Sequence, residues 1–165
     1  MLGFLVHFLS LFALALWVGG GAAISFLVAP VVFERAGSRA LAGELMGQIL
    51  RRFDTYGLVA GPLALAGAFL ELAASSAAAR TLTLKLSLIA AMIALAAYNA
   101  LALRPELRRV REDLGDSVDR LAADDPRRTA FGRLHGFSVL CVLGESLLGA
   151  FAIALGIMAL SVRVG

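Results

Sequence analysis

The sequence predicts an all-α membrane protein: four transmembrane helices in an up-down bundle, with amphipathic cytoplasmic helices in the first and third connections. Three observations carry this. Mean hydropathy is +0.87, with 60% hydrophobic and 16% charged residues, far from the composition of a soluble domain. Four apolar runs, at about residues 2–29, 56–74, 82–103 and 137–162, are each long enough to cross about 30 Å of hydrocarbon at 1.5 Å per residue. None shows the period-2 alternation of a barrel strand, and 165 residues suit a single integral membrane domain.

The first run lacks a basic leader, is too long for a signal-peptide core and reaches Ala29-Pro30 without a small-x-small cleavage site, so it reads as a retained helix ending near Pro30. From Ser38 to Phe53, Leu41, Leu45, Ile49 and Phe53 recur at i+4, the pattern of a helix lying along the interface. In the second span Gly57, Ala60, Gly61, Ala64, Gly67 and Glu71 fall within about 80° of one direction at 100° per residue. Such a small-residue seam lets helix backbones approach; packing within the protomer is the expectation, ahead of dimerisation through Gly57-x-x-x-Gly61. Pro62 lies opposite and kinks the span.

Ser75 to Ala79 is short and small, as in a tight hairpin. The third span leads through Arg104-Pro105, where Pro105 suits a break or a fresh first turn. Beyond it Leu107, Val110, Leu114 and Leu121 share a face opposite Arg108, Arg109, Glu112, Asp113 and Asp119. Asp125-Pro126 reads as an N-cap followed by proline at the first helical position.

Charge sets the expected orientation. Of the 15 Lys and Arg residues, 12 lie in the first and third connections, and only Arg80, Lys85 and Arg163 lie elsewhere. The positive-inside rule makes that side cytoplasmic and puts both termini outside, in a multi-pass protein of the cell (inner) membrane. The pI near 9.7 therefore reflects the membrane surface and not nucleic acid, because aromatic residues are sparse in these loops and acidic residues interleave.

Polar residues inside the spans are the candidate site. Glu145 lies eight residues into its apolar run with no basic residue following until Arg163, and a charge at that depth is costly unless paired, neutralised or wetted. His7, Ser10, Gly21 and Ser25 form a stripe on the first span, with Trp17 at its edge; His135, Ser138, Val142, Ser146 and Gly149 share a face of the last, with Glu145 beside it. By depth, His7, Glu71 and Lys85 lie toward the outer surface, and Glu71 and Lys85, which flank the short second connection, are expected to form an ion pair. Glu145 falls nearer the midplane, with His7 its nearest partner or a neutral carboxyl as the other resolution. Asp54, Tyr56, Asn99, Arg133 and His135 fall at the cytoplasmic boundary.

Glu145, His7, Glu71 and Ser146 are thus the candidates for a ligand or ion, with Lys85, Trp17, Arg133, His135, Ser138 and Asn99 in structural roles. No zinc spacing, phosphate-cradling loop or Ser/His/Asp arrangement is present, which argues against an enzyme. Cys141 is the single cysteine, so neither an intrachain disulfide nor a Cys-based metal site is expected. No cofactor is expected either; the alternative is a haem or metal at His7 or His135, which the topology puts at opposite faces.

Leu16-Trp17-Val18-Gly19-Gly20 with Ala29-Pro30-Val31-Val32-Phe33, and Arg128 through Phe131-Gly132-Arg133-Leu134-His135-Gly136-Phe137-Ser138, resemble the transmembrane protein 205-like family of small four-span proteins. That resemblance implies the same four-span fold, and its animal members are linked to drug or metal export. A more distant similarity runs to the copper-resistance D-like and membrane protoporphyrinogen-oxidase group, through a first-span His and a Trp-x-Gly. The leading expectation is a protein that binds or transports a small molecule or ion through its polar interior, as a homo-oligomer. Alternatives are a haem- or metal-associated redox protein, and an accessory subunit whose cytoplasmic helices dock a partner.

Overall fold

Three of the chain's four prolines lie within long helical runs without ending them, and this shapes the whole architecture. The computed structural model describes residues 2–74, 77–114, 122 and 125–164. Helix α1 (Leu2–Ala23) passes through a π-helical segment, π1 (Ile24–Val28), directly into α2 (Ala29–Arg35). Ser38 Oγ then accepts the Leu41 N–H at 3.2 Å and starts α3 (Arg39–Ala74). Helix α4 (Ala79–Tyr98) continues through π2 (Asn99–Leu103) into α5 (Arg104–Leu114), and α6 covers Pro126–Val164.

The first run therefore continues past Pro30 to Arg35, and the third past Pro105. Each proline follows a π segment. The Ala29 N–H reaches back to the Ile24 carbonyl and the Arg104 N–H to that of Asn99, so the widened turn carries the chain into a proline that has no N–H of its own. In place of a separate interfacial helix, Ser38 to Phe53 supplies the opening turns of α3. Its inward residues are Ala42, Gly43 and Met46, while Leu41 and Leu45 are exposed. Asp125 caps α6 as expected, accepting the Arg127 N–H on Oδ1 at 2.8 Å. Ser75, Ser76, Asp119 and Leu121, which carried expectations for the second and third connections, lie outside the described residues.

Four helical stretches are long and apolar enough to cross a membrane: Gly3–Arg35, Arg39–Ala74, Ala79–Asp113 and Pro126–Ser161. Helix α1 packs on α3 and α6, and α4 packs on the same two. Large apolar side chains such as Phe4, Phe12, Leu27, Phe69, Leu140 and Phe151 point outward, whereas Ala60, Ala64, Ala68 and Ala152 are buried. This inside-out distribution is consistent with an integral membrane protein, where close packing of small residues holds helices together. The α3 seam of Gly57, Ala60, Gly61, Ala64, Gly67 and Glu71 is buried inside the protomer. Trp17 explains part of it: a Cβ at Gly61 would meet the indole at 2.7 Å, and one at Gly57 would meet it at 3.3 Å.

Candidate functional site

The polar interior divides into two groups, and the division differs from the expected one. Toward the turn between α3 and α4, Lys85 Nζ donates to both Glu71 oxygens, at 3.1 and 3.0 Å, and to Ser10 Oγ at 3.2 Å. The Ser10 hydroxyl donates in turn to the Ala64 carbonyl at 3.2 Å. All three ammonium donors are thereby used. The expected Glu71–Lys85 ion pair is present and fully buried.

His7 also belongs to this group. Its Nδ1 stands 3.2 Å from Glu71 Oε2, an ionic-contact distance without hydrogen-bond alignment, since neither ring nitrogen makes a hydrogen bond among the described residues. Glycines give the group its room. A Cβ at Gly67 would meet the Ser10 Cβ at 2.7 Å, and one at Gly156 would meet Leu11 at 2.6 Å and Lys85 Nζ at 3.4 Å.

His7 is therefore not the partner of Glu145. The charges acting on Glu145 come from Arg104 and Asp54, at the opposite end of the interior from His7. Asp54 and Arg104 form an ion pair at 2.6 Å with side chains only 22% and 16% exposed. Glu145 is 8% exposed, and among the described residues it has no hydrogen bond or ion pair within 4 Å. It also sits on the interior line of α6, with Cys141, Gly149, Ala152, Gly156 and Ala159, and not beside it. Arg104 supplies from another helix the basic neighbour that the last span lacks. Sequence reasoning missed this grouping, although a signal existed: Asp54 shortly precedes the second apolar run and Arg104 directly follows the third.

Glu145 opens onto a cavity of about 80 Å³ between the helices, room for several waters at roughly 10–15 Å³ each on the same measure. Its walls are mostly apolar, from Trp17, Leu50, Phe53, Met92, Ile93 and Val142; Asp54, Arg104, Glu145, Ser25 and Ser146 supply the polar side chains. The Ser146 hydroxyl donates to the Val142 carbonyl at 2.9 Å, which leaves its oxygen lone pairs as acceptors. Ser25 and Leu58 line the cavity and are also exposed on the outer surface, so the space opens sideways between π1 and α3. The expected line of His7, Ser10, Gly21 and Ser25 breaks at Ser25, because π1 shifts the register there.

The remaining candidates are dispersed. Ser138 Oγ donates to Asn99 Oδ1 at 2.7 Å, and Asn99 Nδ2 to the Ser138 carbonyl at 3.4 Å, a reciprocal clasp of π2 on α6. Arg133 and His135 are exposed, with the His135 ring stacked on Phe131 at 6.3 Å. His7 and His135 thus lie in separate regions, and among the described residues no three His, Cys, Asp or Glu side chains converge as metal ligands.

A model described as a domain of unknown function (DUF4149) matches residues 12–115, a stretch that holds Trp17, Asp54, Glu71, Lys85 and Arg104 but neither His7 nor Glu145. No curated protein matches the chain, and no solved structure does.

Proposed function

The chain belongs to the DUF4149 family, a domain of unknown function, and from its own geometry we propose a membrane-embedded binding protein that takes up a small ligand in the cavity beside Glu145. The observation that carries this is Glu145 itself: a nine-tenths buried carboxyl, without a hydrogen bond or ion pair among the described residues, on the wall of an open space. A buried polar group left unpaired is costly. Glu71 needs no such account, because Lys85 and Ser10 complete its surroundings. Apolar walls with a few polar groups are the usual make-up of a small-molecule site.

This reading takes the arginine-rich end as the cytoplasmic face of the inner membrane, on the positive-inside rule, with the spans running alternately up and down and both termini outside. The ligand enters between π1 and α3, where Ser25 and Leu58 reach the outer surface. Transport follows if occupancy alternates between that side opening and the arginine-rich end, and the transmembrane protein 205-like resemblance points the same way.

Trp17 is the chain's one tryptophan and lines the cavity, so its emission reports occupancy. With protein in zwitterionic nanodiscs, the expected result is a saturable change in Trp17 emission on adding 1-butanol. The change should disappear in Ala97→Phe, which fills the cavity. A linear response identical in both proteins would overturn the proposal.

A further inference from the structure

Three prolines in three helical runs withdraw a backbone donor from the same cavity. Pro62 lies inside α3, and a proline in a helix leaves the carbonyl four residues earlier, here that of Leu58, without its partner. In π1 and π2 the N–H groups of Ala29 and Arg104 are directed to Ile24 and Asn99. The next residues, Pro30 and Pro105, have no N–H to offer the following carbonyls, those of Ser25 and Ala100. Leu58, Ser25 and Ala100 all line the cavity. Within an apolar span, free carbonyls are tolerated where they face protein or a wetted cavity.

The polar character of this cavity is therefore one-sided. Its side-chain acceptors are the Glu145 carboxyl and the Ser146 oxygen, and Leu58, Ser25 and Ala100, whose carbonyls each lose a helical donor, stand among its lining residues. Its one strong side-chain donor is Arg104, in ionic contact with Asp54 at 2.6 Å, with Nε and Nη1 buried and without a hydrogen bond among the described residues. A cation beside Glu145 favours the ionised carboxylate, and with Asp54 and Arg104 also ionised the wall then carries one net negative charge. An anion would have to displace Asp54 from Arg104 and would meet the Glu145 carboxyl, whereas a cation with several N–H donors would find acceptors and, at an ionised Glu145, charge. The apolar walls add space for a hydrocarbon body, and the indole of Trp17 attracts positive charge to its face.

We infer that the cavity ligand is a small primary ammonium with an apolar body, its charged end held by Glu145 and the proline-released carbonyls. This rests on the binding function proposed above and adds the chemical class of the ligand. The side opening at Ser25 and Leu58 suits such an amphiphile, which can arrive through the lipid.

The test compares three probes of one shape, n-butylammonium, 1-butanol and butyrate, by Trp17 emission at constant ionic strength in zwitterionic nanodiscs. The inference predicts butylammonium at least tenfold tighter than 1-butanol, with butyrate weakest. In Glu145→Gln the ammonium advantage falls to within about twofold, and an unchanged far-UV circular dichroism spectrum shows that the variant is folded. Pro62→Ala, which returns an N–H to the Leu58 carbonyl, weakens butylammonium severalfold and leaves 1-butanol unchanged. Equal affinity for butylammonium and 1-butanol overturns the ligand class while the binding site stands, as does an ammonium preference that survives Glu145→Gln. Silence from all three probes removes both.

Discussion

Lys85 Nζ grips Glu71 through both carboxylate oxygens, at 3.0 and 3.1 Å, in a pocket where neither side chain reaches solvent. A buried pair of this kind is worth little against a well-packed apolar pair, but removing one partner strands the other charge, at a cost of about 3–5 kcal/mol. Lys85→Met should therefore lower the thermal midpoint in detergent sharply, while Lys85→Met combined with Glu71→Leu recovers most of the loss. Circular dichroism melts of the two variants check this. Equal destabilisation would mean that the pair contributes beyond its burial.

The glycines differ sharply in what surrounds them, so identical substitutions should differ in effect. A Cβ at Gly67 would press on the Ser10 Cβ at 2.7 Å, whereas Gly19 has nothing within 4 Å. Gly67→Ala should destabilise by about 1–3 kcal/mol through overpacking. Gly19→Ala should be neutral or stabilise by up to about 1 kcal/mol through helix propensity. Chemical denaturation in mixed micelles measures both.

Much of this fold was legible before any coordinates. Apolar run length fixed the four long helices, and the small-residue line from Gly57 to Glu71 marked a buried face because it kept helical spacing over the whole span. Proximity to one turn was enough to pair Glu71 with Lys85. What misled were local stop signals. Pro30 and Pro105 read as helix ends, yet each is accommodated by a π segment, a backbone adjustment that leaves no mark in residue periodicity. The site was harder to read for the same reason. Grouping Glu145 with Arg104 and Asp54 requires the relative depth of three helices, and a single run's hydropathy does not contain it.

The Asp54–Arg104 pair should matter more than an ordinary surface bridge, because its side chains are only 22% and 16% exposed. Asp54→Ala leaves the largely buried Arg104 guanidinium with Glu145 as its one acidic neighbour among the described residues. A loss of about 2–3 kcal/mol is expected, below the full buried-pair value because some solvent reaches the pair. A double-mutant cycle with Glu145→Gln should show coupling between the two acidic positions, since both act on one guanidinium.

The start of α6 carries a pH dependence of known sign. The Arg127 side chain and N–H hold the Asp125 carboxyl below its usual range. A depressed carboxyl supports the folded helix end above the unfolded value near 3.9 and loses that support as pH falls through the lower folded value. Exchange protection of the Arg127 amide, which bonds to Asp125 Oδ1 at 2.8 Å, should be unchanged from pH 7 to 5 after correction for intrinsic rates, then fall below about pH 4. Asp125→Ala should remove the protection at every pH.

The proposed site requires that Glu145 look into ligand-accessible space and not merely into slack packing. Its most direct measurement is the bromine position in a structure of the protein soaked with 3-bromopropylammonium, located by anomalous scattering. The account predicts bromine density among Trp17, Met92 and Ile93, with the ammonium against Glu145, and loss of that density in Glu145→Gln. Bromine found only on the outward apolar surface, with Glu145 covered by protein side chains, would contradict it.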